Sequence, residues 1–201
     1  YDFLRLPDGR VGLVIADVSG KGVPAALIMA TFRALLRAHV ASGAGLPEIA
    51  ARLNGLLRDE CRPHGFVTCF LAFLEPTTGR LEYTNCGHVP PLLVAPEGDA
   101  VELAEGGPVL GVFADAAWGS REVALEPGQV LVLHTDGVSE ARRAEGEELG
   151  AARLAEVVRE GLDRGAASLA GEVVRAVRAF TATEAFEDDF TLVLVERRAT
   201  S

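Results

Sequence analysis

The chain has 201 residues, 49% of them hydrophobic and 24% charged, with a formal net charge of −10. That length and balance fit one well-buried globular domain, and the acidic excess argues against a nonspecific nucleic-acid binder, which needs a basic surface. No stretch approaches the ~20 uninterrupted apolar residues of a membrane span, because Arg33, Arg37 and His39 interrupt the most hydrophobic candidate.

In chain order, the apolar run 11–16 predicts a strand, Asp17-Val18-Ser19-Gly20-Lys21-Gly22 a glycine-rich turn, and 24–42 a helix with Pro24 at the favoured first position. This helix is apolar almost all round and is expected to be largely covered. A second helix over 46–60 carries Ile49, Leu53, Leu56 and Leu57 at helical spacing, with Glu48, Arg52, Arg58 and Asp59 on a wetter side, and Pro63-His64-Gly65 ends it. Strands follow over 66–74, 80–86 and 90–95, the first two joined by the hairpin-type turn Pro76-Thr77-Thr78-Gly79.

Residues 104–120 read as loop. Strands over 121–125 and 129–134 flank Glu126-Pro127-Gly128, helices follow over 150–162 and 166–180, and a last strand spans 190–196. Pairs of helices between runs of antiparallel strands predict an α+β sandwich, two mainly antiparallel sheets packed face to face with helices outside. One domain is expected over 1–196, with 197–201 as a loose tail. Cys61, Cys69 and Cys86 are odd in number and lack C-x-x-C spacing, which fits buried thiols in a reducing, cytoplasmic compartment.

The chemistry lies in carboxylates at strand ends. Asp17 follows the first apolar run, Asp136-Gly137 follows Val130-Leu131-Val132-Leu133, and Asp188-Asp189 precedes Phe190-Thr191-Leu192-Val193. Strand-edge carboxylates far apart in sequence are what an oxygen-rich divalent metal site uses. A Walker A loop is rejected, because Ile15 and Gly22 stand where Gly and Ser or Thr are needed. An EF-hand is rejected, because Ile28 occupies the position of its last Glu. A dinucleotide fingerprint fits weakly, with Ala25 in place of the third glycine.

Plainer readings stand beside the metal one. Asp17 could cap the following helix, Asp136-Gly137 could be a turn, and Asp188-Asp189 could be a solvated strand start. Gly20 and Gly22 suggest close backbone approach. Lys21 reads as an exposed turn lysine or a phosphate contact. His88 reads as a hydrogen-bonded structural histidine or a proton donor, and Glu140 as a surface charge or an indirect support. Ser19 and Ser139 lack a His/Asp relay, which argues against a serine nucleophile.

Asp17-Val18-Ser19-Gly20-Lys21-Gly22-Val23-Pro24-Ala25-Ala26, Asn85-Cys86-Gly87-His88-Val89-Pro90-Pro91-Leu92, Gly107-Pro108-Val109-Leu110-Gly111-Val112, Thr135-Asp136-Gly137-Val138-Ser139-Glu140-Ala141 and Asp188-Asp189-Phe190-Thr191 occur in that order. Together they resemble the bacterial stage II sporulation E-type, PP2C-like serine/threonine phosphatases, over nearly the whole chain. The resemblance implies a PP2C-like α-β-β-α sandwich and a two-ion Mn2+ or Mg2+ site. Asp17 would be the bridging ligand, the Val18 carbonyl a further oxygen ligand, and Asp136 and Asp188 the second ion's ligands, with Asp188 preferred over Asp189.

It also implies a substrate: phosphoserine or phosphothreonine on an anti-sigma-factor antagonist of the STAS type. Further partners would be an N-terminal sensory or receiver domain or a homodimer acting on the helices 24–42 and 46–60. The family's first strand carries Gly-Asp-x-Tyr-Asp-Phe with a metal-ligand aspartate. Tyr1-Asp2-Phe3 matches its end, so the expected domain starts inside that strand and Asp2 is not the ligand. A catalytically impaired phosphoprotein-binding module is the alternative. A metal-dependent nuclease or small-phosphate hydrolase is a third reading, opposed by the acidic balance and the lack of a basic aromatic groove.

Overall fold

The computed structural model describes residues 1–61, 65–183 and 189–198. In chain order its elements begin with strands β1 (Asp2–Arg5) and β2 (Val11–Val18), helices α1 (Val23–Ala41) and α2 (Leu46–Glu60), and strands β3 (Val67–Leu74) and β4 (Arg80–Cys86). Strands β5 (Leu92–Val94), β6 (Val101–Glu102), β7 (Gly106–Gly107), β8 (Arg121–Ala124) and β9 (Val130–His134) follow. Helices α3 (Asp136–Ser139), α4 (Gly150–Glu160) and α5 (Ala166–Thr181) lead to strand β10 (Leu192–Glu196). Two sheets with helices, the α+β class expected, are present. The chain divides into two compact units, Tyr1–His88 with Ala104–Ala124, and Val89–Leu103 with the described residues from Leu125 onward.

The first unit is built on a sheet in the order β1-β2-β3-β4, with β7 and β8 both pairing β4. Val11 to Val18 pair in register with Leu74 back to Val67. One face, including Val14, Val18, Cys69, Leu71 and Phe73, shares a core with Phe32, Leu36 and Val40 of α1 and Leu46, Ile49, Leu53 and Leu57 of α2. Each such side chain contributes roughly 1.5–3 kcal/mol on full burial. Leu13, Ile15, Phe70 and Ala72, which point the other way, are buried as well. Burial on both faces is why β2 and β3 read as nearly continuous apolar runs rather than as an alternation.

Helix α1 departs from the expectation that it is largely covered. Only 17% of its apolar window is buried, and Val23 and Leu27 are 72% and 64% exposed. Ala26, Ala30, Ala34 and Ala38 also face solvent; small residues raise the apolar count without demanding burial. By length and composition α1 is the one helix among the described residues apolar enough to cross a membrane, despite Arg33, Arg37 and His39. Its Phe32, Leu36 and Val40 are nonetheless spent on the sheet core.

Asp2 ties β1 to the same helix: Arg37 donates to both its carboxylate oxygens at 2.8 Å, and Arg33 Nε to Oδ2 at 3.0 Å. Burial pushes the Asp2 carboxyl up, but the hydrogen bonds and charges of the two arginines outweigh it and hold the pKa below the usual value.

The second unit is an antiparallel sheet in the order β10-β9-β5-β6. Leu154, Ala155 and Val158 of α4 and Leu169, Val173 and Val177 of α5 cluster with Leu92, Val94, Val130 and Val132 of the sheet. Strand β5 is shorter than the expected 90–95 because Pro90 and Pro91 have no N–H for a ladder; the Pro91 carbonyl still accepts from Leu103 N–H at 2.9 Å.

The Pro76–Gly79 turn closes as expected, with Gly79 N–H donating to Glu75 O at 2.8 Å. The expected loop 104–120 contains β7. A Cβ on Gly106 would lie 2.0 Å from the Asn85 carbonyl oxygen, so glycine is what lets this segment run beside β4. Pro63 and His64 lie outside the described residues; α2 ends at Glu60, with Cys61 N–H donating to Leu57 O.

Candidate active site

Strand β2 runs two residues further than the apolar pattern predicts, so Asp17 and Val18 belong to the ladder, opposite Thr68 and Val67. Gly12 to Ile15 and Val18 are buried, whereas Asp17 is exposed. Directly opposed residues of an antiparallel pair share a face, so Thr68 stands beside Asp17. The Thr68 Oγ1 lies 2.9 Å from Nδ1 of the buried His88. Asn85 fixes the backbone there: its Oδ1 accepts from His88 N–H at 2.7 Å and its Nδ2 donates to His88 O at 3.0 Å.

Between them Gly87 holds φ at +68°, and a Cβ there would meet Val109 Cγ1 at 2.5 Å. His88 is thus a hydrogen-bonded, positioned histidine. The Ser19 hydroxyl accepts from Phe66 N–H at 2.8 Å, and Ser19 N–H donates to Phe66 O at 2.9 Å. Ser19 therefore pins the turn rather than serving as a nucleophile.

The capping reading of Asp17 does not hold. Gly22 is the N-cap of α1, and no side chain caps that end. Gly20 and Gly22 hold φ angles of +97° and +79°, which favour glycine, and a Cβ on either would meet no protein atom within 4 Å. Lys21 is exposed.

In the second unit, Asp136 leaves β9 and opens the one-turn helix α3, so Asp136-Gly137 is not a hairpin turn. Its half-buried carboxylate accepts Gly137 N–H at 2.9 Å, and its carbonyl accepts Glu140 N–H at 2.7 Å. Ser139 is buried and Glu140 exposed. His134 is fully buried, with Nδ1 3.2 Å from Thr135 O. Burial holds its pKa below the ordinary value, against the opposing pull of Thr135 O and Asp136. The Thr135 hydroxyl donates to Asp189 O at 2.8 Å and accepts from Thr191 N–H at 3.0 Å. The structure thereby brings Asp136 and the exposed Asp189 into one bonded segment. Asp188 lies outside the described residues.

Among the described residues, no group of three or more His, Cys, Asp or Glu side chains is placed to hold a metal ion. Each carboxylate taken by itself is of a kind that suits a hard divalent cation, Asp17 near the end of β2 in the first unit and Asp136 just after β9 in the second. Sequence reasoning singled out the carboxylates and His88 but gave no role to Thr68, Asn85 or Thr135. Asn85 and Thr135 sit inside the recognised segments. Thr68 is one hydroxyl in an apolar strand and gives no such signal.

The family model described as Stage II sporulation protein E (SpoIIE) matches residues 7–198. The chain belongs to the SpoIIE family. It is 32% identical over 187 residues to Protein IcfG of Synechocystis sp., covering 79% of this chain and 29% of that protein. It is 26% identical over 199 residues to the phosphoserine phosphatase RsbU of Bacillus subtilis, covering 98% and 58%. The chain thus spans 29% to 58% of the length of three curated relatives it matches.

Among solved structures, the RsbU and RsbW domains of a Mycobacterium tuberculosis protein superpose with a TM-score of 0.80 at 29% identity, covering 100% of this chain and 56% of that one. The SiaA PP2C domain of Pseudomonas aeruginosa gives 0.84 at 19% identity, covering 97% and 78%. RsbX in complex with magnesium gives 0.64 at 19% identity, covering 92% and 80%. The last two speak to the fold alone, which is of the PP2C type.

Proposed function

We propose that this SpoIIE-family chain is the phosphatase domain of a metal-dependent protein serine/threonine phosphatase. The observation that carries the reading is Asp17, an exposed carboxylate at the end of an otherwise buried strand, followed by a turn whose glycines hold positive φ. An exposed acid there contributes nothing to the core and lies where a cation can reach it. Membership of a family with phosphoserine phosphatase relatives supports the same conclusion.

Asp17, the Val18 carbonyl, Asp136 and Asp188 are the residues that would hold Mn2+ or Mg2+, as two ions. A divalent cation supplies charge neutralisation for phosphoryl oxygens and lowers the pKa of water. The chain's own residues orient those donors. The β2–β3 ladder places Asp17 beside Thr68, and α3 starts on Asp136 with Gly137 N–H fixing one carboxylate oxygen. Thr68 and Asn85 hold His88 in one orientation near the Asp17 end of the sheet. The substrate class is phosphoserine or phosphothreonine on an anti-sigma-factor antagonist of the STAS type. Control would come from an N-terminal sensory or receiver domain or a second copy.

Phosphate release from such a phosphorylated antagonist, in Mn2+, in Mg2+ and in EDTA, tests the reading. Release that needs a divalent ion and is lost in Asp17→Asn is expected. Release indifferent to both overturns it.

A further inference from the structure

We infer that Thr135 is a positioning residue of the acidic site, its hydroxyl holding the Asp136 turn against the segment that carries Asp189; this rests on the metal-dependent reading above. The β9–β10 ladder has its last named pair at His134 and Leu192. Beyond that pair the two chains stay joined through Thr135. Its N–H donates to Thr191 O at 3.1 Å, and its hydroxyl accepts from Thr191 N–H at 3.0 Å and donates to Asp189 O at 2.8 Å.

The Thr135 carbonyl is engaged as well, accepting Val138 N–H at 3.0 Å with His134 Nδ1 3.2 Å away. Thr135 is 6% exposed, so these bonds form out of water and are costly to break. Every polar atom of one residue therefore fixes the point where Asp136 leaves the strand. The same hydroxyl fixes the backbone of Asp189, the sequence neighbour of Asp188.

Valine has threonine's branched shape and no hydroxyl. In Thr135→Val the Asp189 carbonyl and Thr191 N–H lose this partner, and the Thr135 N–H bond to Thr191 O is left to hold the two segments without the hydroxyl's two bonds. Groups that orient metal ligands at one remove are worth about 10–100-fold in metal affinity. Thr135→Ser keeps the donor and acceptor and loses only a methyl group.

The test is Mn2+ binding, followed by the electron paramagnetic resonance of free Mn2+, alongside phosphate release, for wild type, Thr135→Val and Thr135→Ser. The expected result is a Mn2+ dissociation constant raised about tenfold or more in the valine variant, with the serine variant on the wild-type isotherm. Wild-type binding by the valine variant overturns the inference, as does a serine variant as weak as the valine one. Should Thr135→Val not fold, Thr135→Ala against Thr135→Ser isolates the hydroxyl in the same way. A wild type that binds Mn2+ without releasing phosphate sinks the phosphatase reading and leaves the positioning comparison standing; a wild type that binds no Mn2+ overturns both.

Discussion

Asn85 grips the backbone of His88 from both sides, accepting its N–H at 2.7 Å and donating to its carbonyl at 3.0 Å. Asn85 is 3% exposed, so both groups would be left in a dry site without it. Asn85→Ala is expected to cost about 2–6 kcal/mol, from two buried groups at roughly 1–3 kcal/mol each. Asn85→Asp does not rescue, because a carboxylate can accept but not donate. Urea unfolding of the three proteins checks this, and an alanine variant as stable as wild type would refute it.

Asp17→Asn and Asp136→Asn should separate activity from folding. Asparagine retains the oxygen that meets Gly137 N–H and removes the charge that a cation needs. Without added metal, both variants are expected to unfold within about 0.5 kcal/mol of wild type. Metal-dependent phosphate release falls by about a hundredfold or more, the upper end of what orienting partners alone are worth. Thermal unfolding with and without Mn2+ supplies a second readout: the stabilisation by metal seen in wild type disappears in both.

The Asp2 contacts with Arg33 and Arg37 predict a pH signature. The carboxyl's pKa is held below the ordinary value in the fold, so the folded state favours the ionised form. Its contribution is fully present above the unfolded pKa of about 3.9 and is lost as pH falls through the lower folded value. The stability gap between wild type and Asp2→Asn should be constant from neutral pH to about pH 5 and close in more acid solution. A gap that widened on acidification would contradict the assignment.

Phe70 pairs with Asn85, and the next residues outward are the free, buried Cys69 and Cys86. Burial drives the Cys69 pKa well up, with Cys86 adding to the shift; burial, then the Glu60 charge, raises that of Cys61. Thiols react as thiolates, so none of the three cysteines should be alkylated by iodoacetamide at pH 8 in the native protein, and all should be after unfolding. Intact mass spectrometry counts the adducts, and rapid native labelling would defeat the prediction.

Strands such as β2 and β3 are legible in the sequence because the near-continuous apolar runs over 11–16 and 66–74 suit strands buried on both faces. Helix α2 is legible because its apolar residues recur at helical spacing. Strand β7 is not: Gly106-Gly107 has no strand propensity and is placed by what its missing side chains permit against Asn85. Helix α3 is hidden because Asp-Gly is equally good turn chemistry. The two-residue strand Val101–Glu102 is too short to carry a pattern.

At the site, single acids at strand ends stand out in the sequence. The hydroxyls of Thr68 and Thr135 do not, since their importance comes from partners 20 and 56 residues away. The exposure of α1 escapes a sequence reading because alanine counts as apolar in any sum while leaving little area to hide.

That exposure divides α1 into two halves of unequal local stability. Phe32, Leu36 and Val40 anchor the later turns, and the arginine pair to Asp2 lies there too. The first turns, from the uncapped Gly22 past the exposed Val23 and Leu27, hold to the core through the partly buried Ala25, Ile28 and Met29 and bury no side chain fully. Amide hydrogen exchange should therefore be fast at Ala26 and Leu27 and slow at Leu36 and Val40. The end expected to exchange fast is the one joined through the glycine turn to Asp17, so the carboxylate sits between a buried strand and the less buried end of a helix.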